Sequence, residues 1–437
     1  MRGLRSFVVL LVILIGLGAY LYFVESKRTP GDDAETREKI FTVEADAIDE
    51  VTITSEAGES TTLKKSGETW QMVAPVAAPA DAAEMSGITT NLSTIEEQRL
   101  IDENPASLEE FGLAKPRIEV TFKSGGQEHR LQIGSKTPTG SDLYARTGAQ
   151  SKVFLVASFL ESTFNRSPFD LRDKRALAFD RDTADSVEIV TADRTIRFAK
   201  SNNAWQIAQP ASTRADAAAI EGLVARVNSL QMKKLEADEA ADLKRFGLDT
   251  PAATLRIGSG SSQASLLIGS TAGEGEVYAK DASRPAVFTI ESTFLDDLKK
   301  DVGEYRQKDL FDARAFNTTR LEVVRGAETW VFEKTKAEAG GEEKWRQTTP
   351  AAKDADAAKV SSLLSALTSA RAESFVQAAP AGAQPDAVFT LTFDEGKQER
   401  VTFARAGSDV YASRDDAVAK VEASVLDGIL KALEELR

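Results

Sequence analysis

The chain has 437 residues, room for about three domains of ordinary size. A formal net charge of -14 argues against binding a phosphate backbone, so nucleic acid is not an expected partner. The lack of cysteine excludes disulfides, thiolate metal sites and thiol nucleophiles, and a single histidine leaves little room for zinc or histidine-base chemistry.

In chain order, residues 1–6 carry Arg2 and Arg5 and read as a short cytoplasmic tail. Residues 7–24, FVVLLVILIGLGAYLYFV, hold no charge. At ~1.5 Å per residue such a helix spans about 27 Å, close to a hydrocarbon core. Tyr20, Tyr22 and Phe23 sit near its far end, where aromatic rings favour the interface. A cleaved signal peptide is the competing reading. The apolar run continues past Gly16 to Ala19 and no Ala-x-Ala follows, which favours a retained anchor in contact with lipid. The basic tail and the acidic downstream flank place the bulk of the chain outside the inner membrane. Residues 25–47 are polar and include a Pro-Gly pair, the composition of a linker.

The remainder repeats. Trp70, Trp205 and Trp345 are each followed five residues later by proline (Pro75, Pro210, Pro350) and eleven later by the aspartate of an Ala-Asp-Ala (Asp81, Asp216, Asp356). Leu131-x-Ile133-Gly134 recurs as Leu266-x-Ile268-Gly269, 135 residues on. Within each copy, alternating apolar residues such as Val51 and Ile53 predict half-buried strands. Met85, Ile88, Leu92 and Ile95 then fall at helical spacing, as do Ile220, Leu223, Val227 and Leu230. The aspartate just before each helix is placed to accept from its first free amides, and Glu84 adds a capping-box pattern in the first copy. Later strands are predicted at 129–134, 142–147 and 152–157, with a helix starting near Ser158 or Glu291.

Phe-Gly-Leu-x-x-Pro occurs at 111–116 and again at 246–251. Gly112 and Gly247 stand where a helical turn must stop, in a position that tolerates positive φ. Leu113 and Leu248 are spaced to pack on Leu108 and Leu243, and the prolines push the chain into an extended strand. The motif therefore reads as a structural terminator. The expected fold class is α+β: an N-terminal transmembrane helix, then three tandem repeats of mostly antiparallel sheet with helices at 48–182, 183–316 and 317–437. The third repeat lacks Phe-Gly-Leu, has extra residues at 336–343, and is expected to be divergent and shortened.

Chemistry is hard to find in this sequence. His129 lies among charged neighbours in a strand pattern and reads as an exposed strand histidine. No Gly-Lys-Ser/Thr phosphate loop, Gly-x-Ser-x-Gly elbow or Ser-x-x-Lys dyad occurs. The recurring aspartates already have a capping role, so no catalytic, metal or cofactor-binding residue is assigned and no cofactor is expected. The three repeated tryptophans read as packing between sheet and helix. Trp330, which has no counterpart in the other copies, is the candidate for an exposed aromatic binding contact.

The motif set resembles the DUF4340 family of bacterial domains. The first copy carries WQMVAP, PADAAE, FGLAKP, LQIGSKTPTG and LYAR; the second carries WQIAQP, RADAAA, FGLDTP, LLIGST and VYAK; the third matches weakly. The resemblance implies an N-terminal membrane segment and an association with ABC-type transporter components of the gliding-motility kind, and it brings no catalytic residues. The resulting expectation is a non-enzymatic, periplasmic, membrane-anchored accessory or scaffold protein of an ABC-type system. An extracytoplasmic polysaccharide- or peptide-binding module and a carboxylate-dependent hydrolase are the alternatives.

Overall fold

The computed structural model describes residues 38–148, 150–202, 204–335, 344–415 and 417–436. The tail 1–6, the anchor 7–24, most of the 25–47 linker and the insertion at 336–343 lie outside the described residues. No helix among the described residues is long and apolar enough to cross a membrane. The chain divides into two compact units, Met1–Lys174 and Arg175–Arg437, so the first repeat stands alone and the second and third form one unit.

The first unit holds β1 (Ile48–Thr54), β2 (Ser60–Ser66), β3 (Thr69–Ala74), β4 (Ala78–Pro79), α1 (Ala82–Thr94), β5 (Arg99–Asp102), β6 (Ile118–Ser124), β7 (Gln127–Lys136), β8 (Asp142–Thr147), β9 (Val153–Ala157), α2 (Leu160–Phe164) and α3 (Pro168–Leu171). The nine strands form one antiparallel sheet in the order β4-β3-β2-β1-β6-β7-β8-β9-β5. Two four-stranded meanders meet at β1 and β6. The chain leaves the first meander through α1, which carries it to the far edge, where β5 pairs with β9. Alternation along β1 buries Val51 and Ile53 on one face, a bulge between Ile48 and Glu50 lets Ile48 join them in the core, and Met85, Ile88 and Leu92 of α1 complete it. Each such side chain contributes roughly 1.5–3 kcal/mol by leaving water, which exceeds anything the capping residues add.

The same nine-strand order recurs twice in the second unit, between Ser186–Thr191 and Val287–Glu291 and between Thr318–Arg325 and Ala417–Val421. The third sheet keeps every strand. Its shortening falls mainly in the connection at 377–383, where the first repeat has 103–117 and the Phe-Gly-Leu turn, and also in the turn 407–408, where the first repeat has 137–141. After its last strand comes the 14-residue helix Ala423–Leu436, which buries Leu426, Ile429 and Leu433 and packs on the helix Ala357–Thr368.

A further repeat is visible only in three dimensions. The segment entering each sheet pairs with the residues just after the long helix: Lys39 with Glu96, Arg175 with Gln231, and Asp309 with Arg371. Two residues beyond each of these, Phe41, Leu177 and Phe311 are buried. The described end of the 25–47 linker is thus bound into the first repeat, which begins before Ile48. Phe41 also accounts for His129. Its ring lies 5.6 Å from the imidazole, which stacks at 4.9 Å on Phe122, so this histidine is half-buried between aromatic rings rather than exposed.

In the second unit, the carbonyl of Tyr305 accepts from the Asp216 amide at 2.8 Å, next to the helix cap. The Tyr305 hydroxyl donates to the Asp297 carbonyl at 3.2 Å, and its ring lies 5.0 Å from Phe198. Burial, reinforced by the nearby Asp297 charge, pushes its pKa up to about 12. The neutral phenol is the favoured folded form, so its stabilising effect is complete below about pH 10 and is lost as pH rises through 12. In an absorbance titration, the difference between wild type and Tyr305→Phe should rise near pH 12. A difference already complete near pH 10 would mean that the ring is solvated.

Candidate functional site

The recurring signature residues have structural roles. Asp81 accepts from the amides of Ala83 and Glu84 at 2.8 and 3.0 Å, Asp216 from Ala219 at 3.1 Å, and Asp356 from Ala358 and Lys359 at 2.9 and 3.2 Å. The capping box expected at Glu84 does not form. The Asp81 amide donates to the Leu171 carbonyl instead, and the Glu84 carboxylate pairs with Arg166 at 3.0 Å. Pro75, Pro210 and Pro350 each follow a cis peptide bond. Trp70, Trp205 and Trp345 hold the same register, opposite Lys65, Lys200 and Lys334. The Trp205 indole donates to Glu221 on the helix Ala217–Ser229 at 2.6 Å, with the Lys200 ammonium 4.7 Å above its ring. Trp345 is buried in the third core, and Trp70 packs half-buried on the first.

Trp330 requires a correction. It is only 5% exposed and belongs to the third core. Its strand Glu328–Thr335 pairs with Thr318–Arg325, which places Trp330 opposite the buried Val323 on the inner face. Its ring is a packing element and is not available to a ligand at the surface.

Phe-Gly-Leu and Leu-x-Ile-Gly prove to be two halves of one contact. Gly112 has φ +68 and Gly247 φ +66, and the Leu113 and Leu248 amides close the turns onto the carbonyls of Leu108 and Leu243 at 2.9 and 3.0 Å. The Ser135 amide donates to the Phe111 carbonyl at 2.9 Å. A Cβ on Gly134 would overlap that carbonyl oxygen, and one on Gly269 would overlap the Phe246 carbonyl. Phe111 and Leu113 then pack with Val153 and Tyr144, and Phe246 and Leu248 with Val287 and Tyr278, in small clusters apart from the main cores. The motif is a plug held on its sheet by the close approach of two glycine backbones.

One cavity lies where the second repeat meets the third. A cleft of about 540 Å³ in the second unit lies between the edge strand Thr213–Arg214 of the second sheet and the edge strand Ser374–Val376 of the third. The connecting segment runs through it. The Gln307 amide donates to the Arg214 carbonyl at 3.1 Å, and the Leu310 amide to the Ala370 carbonyl at 3.0 Å. Behind this segment lies a charged cluster. Asp312 bridges Arg214 and Arg414, while Glu399 accepts from the amides of Asp312 and Ala313 at 2.8 and 3.1 Å and from Arg414 at 3.1 Å. Burial holds Glu399 above the usual carboxylate range, against the lowering effect of those amides and of Arg414. Burial, with Arg414 as a like-charged neighbour, lowers the pKa of Arg214.

Arg306 stands apart in that cleft. Its guanidinium lies 3.8 Å from the centre of the Phe375 ring and has no carboxylate partner among the described residues. Burial lowers its pKa. The carboxylates lining the cleft are otherwise engaged: Asp309 with Arg314 and Arg371 at 3.1 and 3.2 Å, and Asp415 with Arg414 at 3.7 Å. Among the described residues no group of three or more His, Asp or Glu could hold a metal ion. The sequence pattern could not reveal this site: Arg306 holds the place in its repeat that Arg172 holds in the first, bridging Ala215 as Arg172 bridges Ala80, and only the fold brings it onto Phe375.

No curated protein matches the chain. Among solved structures, the Pseudomonas aeruginosa DNA polymerase sliding clamp with ligand aligns over 87% of this chain and 92% of its own, at 9% identity and a TM-score of 0.15. A second structure of that clamp gives 10% identity over 88% and 93%, with a TM-score of 0.16. Similarity this low carries no argument about fold or function. The family described as "Domain of unknown function (DUF4340)" matches residues 70–204 and 205–388, which is more than half of the chain. The boundary between the two matches falls inside the strand Ala204–Gln209, so each runs from one tryptophan strand into the next repeat and is offset from the folded unit. The chain belongs to the DUF4340 family.

Proposed function

We propose that the protein is a non-enzymatic scaffold or accessory component of an ABC-type transport system, held at the inner membrane by residues 7–24 with its repeats in the periplasm. The observation that supports this reading most is the use of the recurring residues. Aspartates, glycines and tryptophans that a catalytic repeat would present to a substrate are occupied by helix caps, a backbone joint and core packing. A cleft of about 540 Å³ in the second unit arises at a junction between repeats, where a binding protein would recognise a partner.

The test is a photo-crosslinking amino acid at Ser212 or Ala417, on the cleft wall, in intact cells, with identification of the captured protein. Membrane or ATPase components of a transporter are the expected catch. Capture of lipid alone, or of nothing, removes the transporter assignment. Peptide binding is the second reading, favoured by Arg306, which has no carboxylate partner among the described residues of that cleft.

A further inference from the structure

We infer that the cleft in the second unit captures the free C-terminus of an extended peptide ending in an apolar residue, with Arg306 receiving the terminal carboxylate. The inference deepens the scaffold reading and rests on it for the presence of a protein partner.

Charge selects the occupant first. Three guanidinium groups line the cleft, and two are already satisfied: Arg214 by Asp312 and the Asp309 carbonyl, and Arg414 by Asp312, Glu399 and the Leu310 carbonyl. Among the described residues, Arg306 has only the face of Phe375. A cation–π contact stabilises such a group by about 0.5–2 kcal/mol and supplies its N–H donors with no protein acceptor. A carboxylate is the complement that a planar guanidinium takes with two parallel hydrogen bonds.

The walls narrow the choice further. Phe375, Leu310, Val401 and Ala419 give the cleft an apolar side. A volume of about 540 Å³ is in the range of pockets that hold small ligands or a few residues of peptide. Gln206, Ser212 and Gln307 bring amides and a hydroxyl to the same space. A simple fatty carboxylate would satisfy Arg306 and the apolar side but leave these polar groups facing hydrocarbon. A peptide end satisfies all three: carboxylate to Arg306, apolar side chain to Phe375, backbone amides to the glutamines. Capture of a chain terminus in this way is an established mode of peptide recognition.

The test is calorimetric titration of the full chain in detergent with acetyl-alanyl-alanyl-leucine as free acid, with the same peptide as C-terminal amide, and with octanoate. The free acid should bind, with at least tenfold loss for the amide and at least tenfold loss in Arg306→Gln. Arg306→Lys, which keeps the charge but not the fork, should fall between wild type and Arg306→Gln. Hydrogen exchange over residues 175–436 checks that the variants stay folded. Equal binding of acid and amide, or octanoate binding without the peptide, overturns the inference, as does silence from all three probes. If the peptide fails while the in-cell crosslink from Ser212 still captures a transporter component, the scaffold reading stands and only the terminus chemistry is wrong.

Discussion

Gly269→Ala is expected to destabilise the second unit by about 3 kcal/mol or more while leaving the first unit untouched, and Gly134→Ala should do the reverse. The added methyl would overlap the carbonyl oxygen of Phe246 or of Phe111. The clashing atom is backbone, so no side-chain rotation relieves it. To make room the plug must lift, which uncovers Phe246 and Leu248 or Phe111 and Leu113. Gly222→Ala is the internal control. Gly222 sits within the helix Ala217–Ser229, and a methyl added there would meet no heavy atom within 4 Å, so alanine should stabilise by about 0.5–1 kcal/mol. Because the chain folds as two units, a single melting curve would blur the result. Hydrogen exchange resolved by peptide gives each unit its own reading. Equal loss of protection in both units from either glycine change would mean that the joints are not local. No loss from either would mean that the plug is dispensable.

How much the sequence reveals depends on how local each feature is. Asp81, Asp216 and Asp356 are legible because an N-cap is decided within four residues, and the structure places all three as caps. Gly112 and Gly247 are legible as terminators for the same reason. Their partners are not: Gly134 and Gly269 lie beyond an intervening strand, and only the sheet brings them under the turn. The two-residue strand Ala78–Pro79 and the edge strand Arg99–Asp102 escape a sequence reading because neither is long enough to show a period of two. Trp330 misleads because being unique among the repeats says nothing about exposure. Its parity with Phe332 on the strand Glu328–Thr335 is the signal that puts it on the inner face. The capping-box pattern at Glu84 fails because the Asp81 amide meets Leu171 from a segment ninety residues on, which no local pattern encodes.

Glu399→Ala is expected to cost the second unit roughly 3 kcal/mol, whereas Glu399→Gln should cost only about 1 kcal/mol. Two effects compete at this carboxylate. As a buried charge it suffers desolvation, which is why its pKa sits above the usual range. As an acceptor it holds the amides of Asp312 and Ala313 and so fixes the segment joining the two sheets, with Arg414 as a third donor. Alanine leaves the buried Ala313 amide, the part-buried Asp312 amide and a largely buried guanidinium short of a partner. Glutamine keeps a carbonyl acceptor and removes the desolvation of charge, but it weakens the hold on Arg414, which retains Asp312 at 3.0 Å and the Leu310 carbonyl at 3.1 Å. The pH dependence of stability carries the same information. Because the folded pKa is raised, this carboxyl's contribution is complete below its unfolded value and is lost as pH rises through the folded one. The stability of the second unit, measured by urea unfolding across the acid-to-neutral range, should therefore fall less steeply toward high pH in Glu399→Gln than in wild type. If glutamine costs as much as alanine, the charge on Glu399 matters more than its acceptor geometry, and the junction between the second and third repeats is held by the ion pair with Arg414.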